Sequence, residues 1–226
     1  QFPFSVGGEY ATSKLIYLSP SFAGFDFGVS FSPSTSSLLG TIQSASAGLG
    51  PSQSTSPFGV PDARPRNILE VNARYRGTFG AVGVAANVGY VMSGKVNDGT
   101  ATRGLSVFDA GATVSAAGFT FGGHFDTGRF NGQNNLSAAG EKTAMMYIIG
   151  ALYQNGPYTL GAHYINDSIP GTFGNAARKT NAGAIGGNWG WAPGAELWFE
   201  AETGTQNEGP IKAHGTGLII GQRFRW

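Results

Sequence analysis

IYLSPSFAGFDFGVSF, residues 16–31, decides how the rest of the chain is read. Phe25, Phe27, Val29 and Phe31 fall at every second position, and Asp26, Gly28 and Ser30 fill the gaps. Successive side chains of a β-strand point to opposite faces, so a strand here has one greasy side and one polar side. The fold depends on which solvent each side meets.

Composition narrows the choice. The 226 residues are 41% hydrophobic and only 12% charged, against ~45–50% and ~25% in ordinary soluble domains. A protein so poor in charge does not present its whole outside to water. The most apolar run, AMMYIIGALY at 144–153, contains Gly150 and falls well short of the ~18 residues of a membrane helix, which argues against a helical membrane protein. With no cysteine, disulfides and thiolate metal sites are excluded. A net charge of +1 and a pI near 8.2 give no case for a nucleic-acid partner. The chain starts at Gln1 without a charged-then-apolar leader, which reads as a processed or truncated piece.

Period-two alternation over about ten residues recurs along the whole chain. It predicts about eleven strands, near 14–22, 25–34, 67–79, 82–95, 105–117, 119–130, 142–154, 158–167, 179–191, 195–204 and 215–226. Tight turns are expected at Ala23-Gly24, Gly80-Ala81, Gly118, Gly156-Pro157 and Pro193-Gly194, and longer connections at 35–66, 96–104, 131–141, 168–178 and 205–214. Short and long connections then alternate, as the periplasmic turns and outer loops of a membrane barrel do.

The faces separate cleanly. Leu69, Val71, Ala73, Tyr75 and Phe79 oppose Glu70, Asn72, Arg74, Arg76 and Thr78. Phe119, Phe121 and Phe125 oppose Thr120, His124 and Asp126, and Leu197, Phe199 and Ala201 oppose Glu200 and Glu202. A charge at mid-bilayer on a barrel's outer face costs about 2–4 kcal/mol, so the polar set is assigned to a wet or internally paired lumen. The chain ends GTGLIIGQRFRW, closing on Phe224 and Trp226, aromatic residues of the kind that favour the membrane interface.

SKLIYLSPSFAGFDFGVSFSPS, residues 13–34, resembles the hairpin after the constriction loop of general diffusion porins of Gram-negative bacteria, where aromatic-x-Ser-Pro-x-Phe-x-Gly-Phe crosses a periplasmic turn. The resemblance implies an all-β, transmembrane antiparallel β-barrel, with about eleven strands visible here of a sixteen-stranded porin. It also implies that residues 1–12 are the tail of the inward-folded constriction loop, that 13–226 carry the barrel strands, with 35–66 as a long outer loop, and that the final aromatics belong to an assembly signal. Ile16 and Leu18 stand around Tyr17 where relatives often carry a basic residue, which points to an apolar lumen patch.

The expected function is a passive outer-membrane channel for small hydrophilic solutes and ions, without a cofactor or metal. The resemblance implies a homotrimer in contact with the lipid bilayer and lipopolysaccharide. The pore-lining candidates are Glu9, Lys14, Asp26, Glu70, Arg74, Arg76, Asp109, His124, Asp126, Glu200, Glu202, Arg223 and Arg225. The alternative is a smaller monomeric barrel whose loops bind a ligand or partner. A hydrolase using His124, His163 or His214 as base comes third, because no G-x-S-x-G, H-E-x-x-H or P-loop is present.

Overall fold

The computed structural model describes residues 14–34, 65–95, 102–130, 137–138, 142–170 and 176–224. Its strands are β1 (Leu15–Leu18), β2 (Phe25–Ser34), β3 (Pro65–Phe79), β4 (Val82–Lys95), β5 (Thr102–Arg103), β6 (Ser106–Ala116), β7 (Phe119–Arg129), β8 (Ser137–Ala138), β9 (Ala144–Asn155), β10 (Tyr158–Ile169), β11 (Arg178–Ala192), β12 (Ala195–Glu208) and β13 (Ile211–Phe224). All but β5 and β8 join one 11-stranded sheet, in the order β1-β2-β3-β4-β6-β7-β9-β10-β11-β12-β13. Every neighbouring pair is antiparallel. Among the described residues β1 and β13 are not paired to each other, so the sheet is open. β5 and β8 pair separately, a small ladder between two outer connections that alternation does not reveal.

The five expected tight turns are present, and two show why their residues are needed. Ala23 (φ 48°) and Gly24 (φ 85°) are both left-handed, as are Ala117 (φ 49°) and Gly118 (φ 82°). Two consecutive positive-φ residues give the hairpin turn whose twist matches its flanking strands. Each turn's glycine carbonyl also accepts a hydrogen bond from the next strand, Gly24 O from Arg76 N and Gly118 O from Gln154 N, both at 2.8 Å. A loop so close to its neighbour has no room for a side chain at the glycine.

One expected connection is corrected. The chain does not loop from 205 to 214: β12 continues to Glu208 and β13 begins at Ile211, leaving only Gly209 and Pro210 between them. Short and long connections therefore do not alternate at this last position. Alternation marks a strand only where one of its faces meets lipid. Here outward Thr203, Thr205, His214 and Thr216 are as polar as the inward residues, while the ladder runs on without interruption. The expected 1–12 and most of 35–66 lie outside the described residues; the last two residues of 35–66 pair in β3, Pro65 with Lys95 and Arg66 with Gly94.

The outward face reads as a section through a membrane. Large apolar side chains are left bare, among them Phe121 at 58% and Ile149 at 55% exposure, which in water would be an aggregation surface. Rings cluster at the turn end, as in Phe25–Tyr75 (centroids 4.6 Å apart), Phe119–Tyr153 (4.4 Å) and Tyr158–Trp189 (6.1 Å). A second set, including Tyr147 and Tyr164 (6.1 Å), lies towards the loop end. Two aromatic girdles around an apolar band are the outer surface of a membrane barrel. Beyond Tyr164 the outward rows turn polar: Asn166, Asn181, Thr205 and His214 align across four strands, and Ser168, Lys179, Asn207 and Lys212 form the next row.

The Gly118 turn can be tested against Gly156, which has φ +55° but nothing within 4 Å of an added Cβ. Alanine at either position bears left-handed strain of about 1–2 kcal/mol. Only at 118 does the new methyl also collide with the Gln154 carbonyl oxygen. Urea titration of vesicle-refolded protein should show Gly118→Ala losing clearly more stability than Gly156→Ala; equal losses would refute the turn-to-strand contact.

Candidate functional site

The polar face of the sheet encloses a cavity of about 1060 Å³ that reaches from β3 to β13. Glycines form its floor: Gly111 on β6, Gly122 on β7, Gly150 on β9, Gly161 on β10 and Gly186 on β11. Gly122 pairs with Gly150, and Gly161 with Gly186, so the missing side chains coincide across neighbouring strands and open a trough. Its polar walls include Arg74, Arg76, Asn87, Thr113, Thr120, His124, Thr159, His163, Asn188, Glu200 and Arg223.

Strand parity puts Asp26, Glu70, Arg74, Arg76, Asp109, His124, Asp126, Glu200, Glu202 and Arg223 on this one face. They do not form one cluster. At the β2–β3 end, Asp26 Oδ1 accepts from Arg74 Nε at 2.6 Å and Oδ2 from Arg76 Nη2 at 3.0 Å. Asp26 is enclosed by this fork, whereas the two guanidinium groups remain open to the cavity. A second group joins Asp109 and Asp126, directly paired between β6 and β7. Asn87 Nδ2 donates to Asp109 Oδ1 at 3.0 Å, His124 Nε2 lies 3.0 Å from Asp126 Oδ1, and Ser30 Oγ donates to Glu70 at 3.1 Å. At the far end Arg223 Nη1 meets Glu196 Oε1 at 3.0 Å, leaving Glu200 and Glu202 of β12 farther along the same face.

Ile16 and Leu18 pair with Ser30 and Gly28, which places them on the polar face and gives the expected apolar patch its position. Lys14 precedes β1 directly. His163 also faces inward and lines the cavity, while His214 pairs with Thr205 on the outward side. Phe224 meets Trp191 edge-on at 6.4 Å. Glu9, Arg225 and Trp226 lie outside the described residues.

The inward face is not uniform along the strands. Towards the loop end, inward Ile68, Val91, Leu105, Val107, Phe130, Ala144 and Met146 form a buried apolar cluster. Ile68, Val91, Val107, Ala144 and Met146 keep strand parity but not polarity, so the inner wall is divided into an open trough near the turns and a buried apolar sector beyond it. The sequence reading also passed over Trp198, which pairs with Asn188 and Gly221 and lines the cavity. Its available signal was parity: 198 alternates with 197 and 199 and so shares a face with Glu200.

Exposure of both arginines keeps what the Asp26 fork adds to stability small. A double-mutant cycle of Asp26→Ala and Arg74→Ala, read by urea unfolding from vesicles, should return a small favourable coupling. Strict additivity would mean that the 2.6 Å contact contributes nothing.

A family model described as Gram-negative porin matches residues 2–209. Among solved structures, the outer membrane channel DcaP of Acinetobacter baumannii is 14% identical with a TM-score of 0.64, over 98% of this chain and 65% of that one. The anion-selective porin from Comamonas acidovorans is 14% identical with a TM-score of 0.60, over 95% and 59%. The trimer form of OmpT, an outer membrane protein of Vibrio cholerae, is 13% identical with a TM-score of 0.51, over 90% and 62%. The chain thus spans less than two thirds of the length of each of these structures. No curated protein matches it significantly.

Proposed function

The chain belongs to the Gram-negative porin family of the bacterial outer membrane, and on that premise we propose that its sheet forms the wall of a water-filled channel for passive diffusion of small hydrophilic solutes and ions. The observation that carries this reading is the glycine-floored trough with charged side chains on its walls, backed by an apolar, aromatic-girdled outer face. The wall acts by geometry and charge alone, and His124 serves as an internal partner of Asp126 rather than as a base. Protein in planar bilayers should give stepwise conductance increments; a persistently silent bilayer, with folding verified, would overturn the reading.

The same wall indicates the sign of ion preference. Arg223 is balanced by Glu196 and Arg178 by Asp167, and Asp26 offsets one of Arg74 and Arg76. Glu70, Asp109, Asp126, Glu200 and Glu202 have no such arginine partner among the described residues. Charges lining a pore set its selectivity, so we infer a preference for cations, in contrast to the relative from Comamonas acidovorans. Reversal potentials in a KCl gradient should give a K⁺/Cl⁻ permeability ratio above one, lowered in Glu200→Gln/Glu202→Gln; a ratio below one in the parent protein would refute it.

The partners follow from the outward face. Lys179 and Lys212, in one row above the apolar band, suit the phosphates of lipopolysaccharide in the outer leaflet. Homotrimeric assembly is part of the same proposal, supported by the trimer form of one relative. The Lys179→Glu/Lys212→Glu protein should co-purify with less lipopolysaccharide at unchanged heat-modifiable mobility; equal retention would remove these lysines from the contact.

A further inference from the structure

Trp198 is an aromatic side chain in a trough whose other inward residues are small, polar or, at Ile148 and Leu152, aliphatic. It occupies the inward side of β12 between Glu196 and Glu200, lines the cavity, and is half-buried rather than enclosed. Its indole rests where β13 has no side chain: an added Cβ at Gly221 would lie 2.5 Å from both Cε2 and Cζ2 and 2.8 Å from Nε1. Gly221 is thus the seat of the ring. Across the ladder on the other side, Asn188 has its Oδ1 buried without a hydrogen-bond partner.

The charge around the ring is one-sided. Glu196 is engaged by Arg223 at 3.0 Å, whereas Glu200 and Glu202 have no arginine or lysine partner among the described residues. Side chains two apart on a strand share a face about 7 Å from one another, so the Glu200 carboxylate stands one step along the wall from the indole. Towards β11 the floor beside Glu200 is open, because its neighbour there is Gly186 and the next inward position is Gly161, whereas on β13 it is flanked by Ile219. An aromatic face, a carboxylate beyond its edge and an unfilled trough before both define a complementary guest.

We propose that Trp198 and Glu200 form a binding subsite in the channel wall for organic ammonium ions that carry a flat ring. The ring of the guest stacks on the indole, and its ammonium lies between the indole face and the Glu200 carboxylate, attracted by both. Asn188 supplies an acceptor for a further N–H when the indole shifts on binding. A solute with only a ring or only a charge makes half of these contacts, and a ring-bearing anion is repelled. This subsite deepens the channel reading by assigning a solute class to one part of the wall, and it rests on that reading for its role in transport.

The probe is benzylammonium, with methylammonium and benzenesulfonate as controls, added to single channels of the full chain in planar bilayers. Benzylammonium should interrupt the current for longer than either control, and its dwell time should fall about three- to tenfold in Trp198→Ala. Trp198→Phe should fall less, and Glu200→Gln should shorten the dwell as well. Gly221→Ala keeps the indole but unseats it, so its dwell time should approach that of Trp198→Ala. Unchanged dwell in Trp198→Ala, or equal block by benzenesulfonate, would overturn the subsite. Calorimetric titration of the same proteins in detergent separates the two readings. Trp198-dependent binding without channels would sink the channel and leave the subsite, and channels without Trp198-dependent binding would do the reverse.

Discussion

Everything in this sheet depends on one constraint: a peptide group placed in hydrocarbon finds no water, so its N–H and C=O must bond to another strand. The long ladders from β2 to β13, shifted in register between Arg66 and Leu69 and between Gly190 and Ala192, are the response. They fix register, and register then fixes faces, since a slip of one residue would turn every lumen side chain into the lipid. Asp26 opposite Arg74 and Asp109 opposite Asp126 are therefore consequences of backbone pairing before they are electrostatic pairs. The turns serve the same end, with Gly24 and Gly118 each giving a carbonyl to the following strand.

Once faces are fixed, residue size becomes the variable that shapes the interior. Outward positions need bulk to meet lipid; inward positions need absence of bulk wherever the trough is to stay open. That division explains why glycine abounds without weakening the ladder. At Gly122–Gly150 and Gly161–Gly186 it removes side chains from the lumen while every backbone bond is kept. At Gly221 it gives up a side chain so that the Trp198 ring can lie down on the next strand.

Alternation made strand number, order and facing legible from the chain alone, because it records the difference between lipid and water along each strand. The predicted parity places Glu70, Arg74, Asp126 and Glu200 on one face, as the ladders do. Where that difference vanishes, so does the signal: the β12–β13 hairpin beyond Thr203 has polar residues on both faces and reads as loop, though Glu208 still pairs with Ile211. The short β5–β8 ladder has too few residues to express a period. The pairing of wall charges was illegible for another reason, since Asp26 lies 48 and 50 residues from the two arginines it meets. Trp198 was missed because a tryptophan among Leu197 and Phe199 looks like part of an apolar run, and only parity sets it apart.

The inner wall is of two kinds. The cluster of Ile68, Val91, Val107, Phe130 and Met146 is buried. The polar trough lies on the turn side of it, bounded by Arg74 and Arg76 at one end and by Glu200 and Arg223 at the other. Charged side chains beside a low-dielectric wall are less screened than on an open surface, and field lines concentrate in the remaining water. The apolar sector therefore makes the charges along the trough more effective than they would be on an open surface.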